Sequence, residues 1–178
     1  MMSEIVLGVT GSIAAYKACE LTRLLVKDGH SVHVIMTRNA TEFVTPLTFR
    51  TLSRNSVCCE LFENPATWVP GHISLAVLAD LVVVAPCTAN VLSKVACGIA
   101  DDLLTSTCLA TTAPLLLAPA MNTGMYENAA TQANIRTLRQ RGIKLVEAGT
   151  GDLACGTSGK GRMAEPAEIL EAIRALLK

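Results

Sequence analysis

Short apolar runs and segments of helical spacing follow one another along most of this chain. Five runs of four to six residues are apolar or alternate apolar with polar positions, as β-strands do: Glu4–Val9, Ser31–Met36, Leu81–Ala85, Leu115–Ala118 and Ile143–Val146. Leu81–Ala85 contains no polar residue, which is typical of a central parallel strand that is covered on both faces. We therefore predict a parallel sheet with this strand near its middle.

Between these runs, hydrophobic residues recur at the spacing of amphipathic helices. Ala14–Lys27 has leucines on one face and ends before Gly29, and Thr45-Pro46 begins a helix that continues to about Arg54. Further helices are predicted over 91–96, 101–110, 128–141 and 166–177. Because strand and helix alternate, the fold class is predicted as α/β, a doubly wound open parallel sheet in a Rossmann-like or flavodoxin-like three-layer sandwich.

The composition fits one domain and argues against a nucleic-acid or membrane surface. The 178 residues are 51% hydrophobic, and we expect residues 1–178 to form a single domain. Fifteen basic residues balance fifteen acidic ones without a basic stripe. The most apolar window, Leu75–Leu92, contains Asp80, Pro86 and Asn90, so we expect a buried strand and loop there. The expected partner is a small molecule or another copy of the chain.

Seven cysteines without a CxxC pair argue against both a disulfide framework and a zinc site. Cys58 and Cys59 are adjacent, which disfavours a relaxed disulfide, and we interpret both as packing residues. Among the remaining cysteines, those predicted to lie on helices, at positions 19, 97 and 108, are expected to be less exposed than Cys155. The N-terminus lacks the basic region of a signal peptide, so a reducing cytoplasm is the expected location.

Polar residues follow several predicted strands at their carboxyl ends, where open parallel sheets bind ligands. Asn122 and Met125 come just after Leu115–Ala118, and the Asn122 amide offers both a donor and an acceptor for a carboxylate or amide. Thr37 follows the second strand, and Pro86–Asn90 follows the central one. The alternative for Asn122 is an ordinary turn residue.

The first strand runs into a glycine turn, Gly8-x-x-Gly11-x-x-Ala14. Gly11 and Ser12 would let a phosphate approach the free backbone N–H groups of the next helix. The spacing departs from GxGxxG and no acidic residue ends the second strand, so a mononucleotide phosphate fits better than NAD. The alternative is a turn that needs glycine for geometry alone.

Two glycine- and proline-rich stretches interrupt the α/β pattern. Glu60–Gly71, with Trp68, reads as a long loop and a candidate lid or subunit contact, and His72 then begins an apolar run as a structural or catalytic group. Residues 149–163 contain five glycines without hydrophobic periodicity, which predicts a flexible substrate flap or a linker to the last helix. Within the flap, Cys155 is a candidate thiolate beside two cations, Lys160 and Arg162.

Five segments in this order resemble the flavin-dependent cysteine decarboxylases over essentially the whole chain. They are Gly11–Lys17, the His72 region, Pro86–Asn90, Pro119–Asn122 with Met125, and the two halves of the flap, Ala154–Gly156 and Gly161–Met163. The resemblance is strongest to the members that act on 4′-phosphopantothenoylcysteine. Two departures are Cys87-Thr88, where serine-rich versions are common, and Tyr126, where tryptophan is frequent.

This resemblance implies non-covalent FMN in a site formed between the subunits of a homotrimer, with trimers sometimes forming a homododecamer. It implies that His72 is the acid/base, that Cys155 donates the final proton and that Asn122 binds the substrate carboxylate. The implied FMN residues are Gly11, Ser12, Ile13, Thr37, Pro86, Thr88, Ala89, Asn90 and Ser106. The implied substrate residues beside Asn122 are Met125, Ala154, Gly156, Lys160 and Arg162.

In the implied reaction FMN oxidises the cysteinyl thiol side, CO2 is lost, and the resulting enethiol is reduced again. Peptidyl-cysteine decarboxylases, which stop at the enethiol, are one alternative. Flavin prenyltransferases are another, although 119–125 looks unlike their substrate motif. A flavin-binding regulatory subunit without catalysis is the third. The synthetase domain that is sometimes fused to this family is expected to be absent, with substrate supplied by a separate synthetase.

Overall fold

The computed structural model describes residues 2–62, 71–152, 156 and 158–178. Its main sheet has six parallel strands in the order β3-β2-β1-β4-β5-β6. The strands are β1 Glu4–Val9, β2 Ser31–Met36, β3 Val57–Cys58, β4 Leu81–Cys87, β5 Leu115–Pro119 and β6 Lys144–Leu145. The chain builds outward from β1 and then returns to β4 on its other side, so the strand order switches direction between β1 and β4.

Helices cover both faces of this sheet. They are α1 Ala15–Lys27, α2 Pro46–Ser53, α3 Gly71–Leu78, α4 Ala89–Cys97, α5 Leu103–Ala110, α6 Thr123–Glu127, α7 Ala129–Gln140 and α8 Pro166–Leu176. One core packs α1 and α8 on the sheet through Leu21, Leu25 and Ile169. The other packs α4, α5 and α7 through Leu92, Leu104 and Leu138. The predicted doubly wound three-layer sandwich is confirmed.

Local sequence signals predicted the bounds of several elements closely. β1 and β2 have the predicted bounds. Helix α2 has Pro46 in its first turn and is capped at its C-terminus by Arg54, whose φ of 62° is left-handed. The interpretation of Leu75–Leu92 as a strand and loop was wrong at its start, because α3 includes Leu75, whereas the helix predicted over 91–96 lies within α4. An apolar run alone does not distinguish a short buried helix from a strand.

The segment 149–163 is more regular than its composition predicted. β7 Gly149–Asp152 pairs with β8 Ser158–Arg162 as an antiparallel hairpin, which we call the hairpin. Its Gly161 has a φ of 139°, and its carbonyl accepts a 2.9 Å hydrogen bond from the Met121 backbone N–H. A Cβ at Gly161 would overlap the Met121 carbonyl oxygen, so glycine lets the two backbones touch. The interpretation of this segment as a flap or linker without regular structure was therefore wrong for the residues of the hairpin. Movement of the segment as a flap stays a prediction.

The helical cysteines differ in exposure. Cys108 is buried, Cys19 is half-buried, and Cys97 is exposed at the end of α4, which corrects the expectation for Cys97. Burial raises the pKa of the Cys108 thiol to about 12 and raises that of Cys87 further, so both thiols stay protonated at neutral pH. No helix among the described residues is long and apolar enough to span a bilayer.

Candidate functional site

A cavity of about 470 Å³ lies at the carboxyl ends of the strands, beside the switch between β1 and β4. We call it the strand-end cavity. Open parallel sheets bind ligands at this position. Its lining comes from the loops after β1, β2, β4 and β5 and from α4: Thr10, Gly11, Ser12, Thr37, Arg38, Asn39, Thr88, Ala89, Asn90, Val91, Lys94, Asp102, Ala120, Met121 and Met125.

Thr10 ties the ends of β1 and β4 together beneath this cavity. Its hydroxyl donates a 2.7 Å hydrogen bond to the Pro86 carbonyl and accepts a 3.1 Å bond from the Thr88 backbone N–H. Thr10 is fully buried, so neither group has water as a replacement partner. The bonds therefore fix the start of the Pro86–Asn90 segment relative to the glycine turn.

The glycine turn lies directly against the segment that follows β2. A Cβ at Gly11 would overlap the Asn39 Cβ and would come 3.1 Å from the Asn39 carbonyl carbon. Any larger residue at Gly11 must therefore push the two segments apart. The Ser12 hydroxyl accepts a 3.2 Å bond from the Ala14 N–H, which orders the turn before α1. The close approach brings the Ser12 and Thr37 hydroxyls to the same part of the cavity lining.

Helix α4 supplies the opposite wall. Thr88 caps the helix by accepting a 3.4 Å bond from the Val91 N–H, and Asn90 and Lys94 lie one turn apart on the cavity side. The Lys94 ammonium donates a 2.7 Å bond to Asp101 and lies 3.5 Å from Asp102. These partners raise the pKa of Lys94, Asp101 first, so the ammonium stays charged.

A second cavity of about 430 Å³ adjoins the first, and we call it the hairpin cavity. The two cavities share Ser12, Ala120 and Met121 as lining residues. The hairpin cavity is also lined by the start of α1, by Asn122 and by the hairpin: Ile13, Ala14, Tyr16, Lys17, Asp152, Gly161, Arg162 and Met163. A ligand in one cavity would therefore lie next to a ligand in the other.

A carboxylate joins the two cations of the hairpin cavity. Glu165 accepts a 2.8 Å hydrogen bond from Lys17, whose side chain is 8% exposed, and a 3.0 Å hydrogen bond from Arg162. The hydrogen bond from Lys17 is the largest cause of the lowered pKa of Glu165, so this carboxylate stays ionised. Asn122 lies at the start of α6, where its side-chain oxygen accepts 2.8 Å from the Gly124 N–H.

The strand-end cavity brings together most of the predicted cofactor residues. Its lining includes Gly11, Ser12, Thr37, Thr88, Ala89 and Asn90, together with Met125. Ile13 lines the hairpin cavity instead. Pro86 and Ser106 line neither: Pro86 contributes its carbonyl to Thr10, and the buried Ser106 hydroxyl donates 3.3 Å to the Ala100 carbonyl.

The predicted catalytic and substrate residues are more dispersed. His72 lies on α3 and lines neither cavity, and its Nδ1 is buried without a hydrogen-bond partner among the described residues. Asn122 and Arg162 share the hairpin cavity. Lys160 points elsewhere, with its ammonium 5.5 Å from the Tyr126 ring centroid and 3.5 Å from Glu147.

The other predictions concern residues between β7 and β8 and residues before α3. Gly156 is described and has a left-handed φ of 81°. Ala154, Cys155 and Trp68 lie outside the described residues, so their roles stay predictions.

The sequence reasoning missed several lining residues. Arg38 and Asn39 directly follow Thr37 at a strand end, and Lys94 lies four residues after Asn90, so position relative to residues already identified was an available signal. Thr10 gave no such signal, because its partners Pro86 and Thr88 are 76 and 78 residues away in the sequence. Lys17 from α1 and Asp152 from the hairpin line the same cavity as Asn122, although the three residues are distant in the sequence.

A cavity at the point where the strand order switches, lined by a glycine turn, is typical of α/β proteins that bind a mononucleotide. A family model described as "Flavoprotein" matches residues 2–178. The chain belongs to this family.

Relatives of known description have the same fold and a similar sequence. The chain is 52% identical over 168 residues to the coenzyme A biosynthesis bifunctional protein CoaBC of Bacillus subtilis, covering 94% of this chain and 41% of the relative. It thus spans about two fifths of the length of the curated relatives it matches. A PPC decarboxylase mutant complexed with pantothenoylaminoethenethiol is 32% identical, with a TM-score of 0.88 and 98% of each chain covered. The FMN-dependent cysteine decarboxylase SpaF is 29% identical, with a TM-score of 0.84, covering 98% of this chain and 95% of SpaF.

Proposed function

We propose that this chain carries out the FMN-dependent decarboxylation of 4′-phosphopantothenoylcysteine to 4′-phosphopantetheine, a carboxy-lyase step of coenzyme A biosynthesis. The observation that carries the proposal is the shared wall of the two cavities. A flavin in the strand-end cavity would adjoin a substrate whose carboxylate reaches Asn122 in the hairpin cavity. The names of the similar proteins, given above, support this choice of substrate and cofactor.

The residues of the strand-end cavity fit FMN. Gly11 leaves open the space that a Cβ would occupy, and the hydroxyls of Ser12 and Thr37 lie at the same end for a phosphate and ribityl chain. Thr88, Ala89 and Asn90 would lie along the ring system, with the Asn90 amide able to donate and accept. When bound, FMN supplies reversible hydride acceptance, which turns an otherwise unstabilised carbanion into a conjugated product.

The hairpin cavity fits an anionic substrate. The Asn122 amide would bind the substrate carboxylate, and Arg162 would add positive charge to the same cavity. The hairpin covers this region through its backbone bond to Met121, so it would also exclude water from the reacting atoms. Met125, which lines the strand-end cavity, would lie where flavin and substrate meet.

A second copy of the chain would complete the site. His72 lines neither cavity of its own chain, and its helix α3 carries the exposed apolar side chains Ile73, Val77 and Leu78. Such a surface is typical of a subunit contact. The proposed assembly is a homotrimer, or a homododecamer formed from trimers, in the cytoplasm. In it, His72 of one copy would be the acid/base at the flavin of another.

Cys155 is proposed as the proton donor to carbon in the final reduction. This role rests on the sequence resemblance, because Cys155 lies outside the described residues. The proton transfer would let reduced flavin return its hydride, so no external reductant is consumed.

The test is the mass of the product after anaerobic incubation of the purified protein with 4′-phosphopantothenoylcysteine. We expect the wild type to yield substrate minus CO2, and Cys155→Ser to yield a product that lacks two further hydrogens. Asn122→Asp and His72→Asn should both lose turnover. An oxidised product from the wild type would instead favour the peptidyl-cysteine type of reaction. Unchanged substrate with no bound flavin would refute the proposed function and leave a flavin-free role.

A further inference from the structure

We propose that Arg38 makes the strand-end cavity selective for a phosphorylated flavin over unphosphorylated riboflavin. Arg38 would do so as the cation that pairs with the phosphomonoester. The inference rests on the proposed function, because it concerns the same flavin site. It goes further by assigning the phosphate requirement to a residue outside the glycine turn.

The backbone places Arg38 beside Gly11 in the lining of the cavity. β1 and β2 are paired so that Val9 lies opposite Met36, and the Thr37 N–H donates 3.0 Å to the Val9 carbonyl. The residues that follow the two strands, Gly11 on one side and Arg38 on the other, therefore leave the sheet at the same level. Both line the strand-end cavity.

The contact between the two segments fixes their spacing. Asn39 lies so near Gly11 that a Cβ at Gly11 would overlap it. Arg38, the neighbour of Asn39, is consequently held beside the Gly11-Ser12 turn. A phosphate bound beside the Gly11 N–H and the Ser12 hydroxyl would be within the region that the Arg38 side chain can reach.

Among the lining residues, Arg38 is distinguished by a positive charge without an ion-pair partner in the described part of the chain. The cations that line this cavity within the described part of the chain are Arg38 and Lys94. Lys94 is already paired with Asp101 and Asp102 at the α4 wall. Arg38 is exposed and forms no ion pair within the described residues, whereas the nearby Ser12 and Thr37 hydroxyls are neutral donors. Arg38 is therefore the positive charge still available to a ligand in this cavity.

The chemistry of guanidinium favours a phosphomonoester. Its fixed fork of N–H groups can donate two parallel hydrogen bonds to phosphate oxygens, and a phosphomonoester carries nearly two negative charges at neutral pH. Riboflavin ends in a neutral hydroxyl and gains little from the same cation. Loss of one charge-assisted contact of this kind should reduce the preference for FMN by about tenfold.

The test is a competition on the purified full-length chain. The protein is equilibrated with excess FMN and riboflavin in equal amounts and desalted, and the released flavins are quantified by chromatography. We expect Arg38→Ala to lower the bound FMN-to-riboflavin ratio about tenfold, with Arg38→Lys in between. Arg50→Ala, which removes an exposed arginine of α2 that lines neither cavity, is the matched control and should keep the wild-type ratio.

Salt provides a second readout. Raising the ionic strength should lower the ratio in the wild type and change it much less in Arg38→Ala, because the screened charge is missing there. A wild-type ratio in Arg38→Ala, or an equal fall in Arg50→Ala, would overturn the role of Arg38 and leave the proposed function standing. Failure of the wild type to bind either flavin would instead overturn the proposed function.

Discussion

The two cavities share a wall but are built in different ways. The strand-end cavity is formed by turns that directly follow paired strands, and backbone contacts such as those of Thr10 and Gly11 hold it. The hairpin cavity requires residues from the two ends of the chain, joined by the ion pair between Lys17 and Glu165. The sheet itself therefore prepares the proposed cofactor site, whereas the proposed substrate site depends on the docking of one hairpin.

Thr10→Val should produce the largest effect. Valine has nearly the same shape but leaves the buried Pro86 carbonyl and Thr88 N–H without their partner, which should lower the free energy of unfolding by about 2–4 kcal/mol. Urea denaturation measures this loss. The control is Thr22→Val, because the buried Thr22 hydroxyl contacts only the Ala18 carbonyl within its own helix. Equal effects of the two substitutions would show that Thr10 does not brace the strand ends.

Gly161→Ala should disturb the hairpin cavity and leave the strand-end cavity intact. The added Cβ would overlap the Met121 carbonyl oxygen at a left-handed φ, so the hairpin must shift at a cost of about 1–3 kcal/mol. We expect turnover to fall tenfold to hundredfold, while FMN absorbance of the purified protein stays near the wild-type value. Loss of FMN together with activity would mean that the hairpin also supports the cofactor site.

Gly11→Ala is the reciprocal change. Its Cβ would overlap Asn39, which should weaken FMN binding by about 1.4–2.8 kcal/mol, or tenfold to hundredfold in Kd. Flavin fluorescence on serial dilution of the holoprotein measures this Kd. Gly149→Ala is the control, since a Cβ there would come no nearer than 3.7 Å to other atoms and Gly149 lines neither cavity. An unchanged FMN Kd in Gly11→Ala would contradict the tight approach.

Glu165→Gln should have the smallest effect and a characteristic pH dependence. The carboxylate is half-exposed, so its loss should lower the free energy of unfolding by about 0.2–1 kcal/mol at neutral pH. Because Lys17 holds the pKa of Glu165 below its usual value, this stabilisation is present above pH 4.5 and is lost as the pH falls through the lowered pKa. Urea unfolding from pH 7 to pH 3 should therefore show wild type and variant converging in acid. A pH-independent difference would rule out the ionised pair as its source.

The residues of the strand-end cavity were more predictable than those of the hairpin cavity. Thr37, Gly11 and Asn90 were identified because each lies within a few residues after a recognisable strand, and parallel strands bring such positions to one edge. Asn122 was identified in the same way and Arg162 as a cation of the glycine-rich segment, but their proximity depends on a hairpin whose sequence predicts no strand. Met125 and Asn122, three residues apart, were expected together but line different cavities.

The sequence by itself determined the alternation of strands and helices, the parallel sheet and the edge at which a ligand binds. These follow from hydrophobic periodicity and from glycine and proline at element ends, which are local properties. Only the tertiary structure decided that Lys17 meets Glu165, that Gly161 touches Met121 and that His72 lies away from the cavities of its own chain. Those outcomes depend on how packed layers bring distant segments together, and no local pattern encodes such distances.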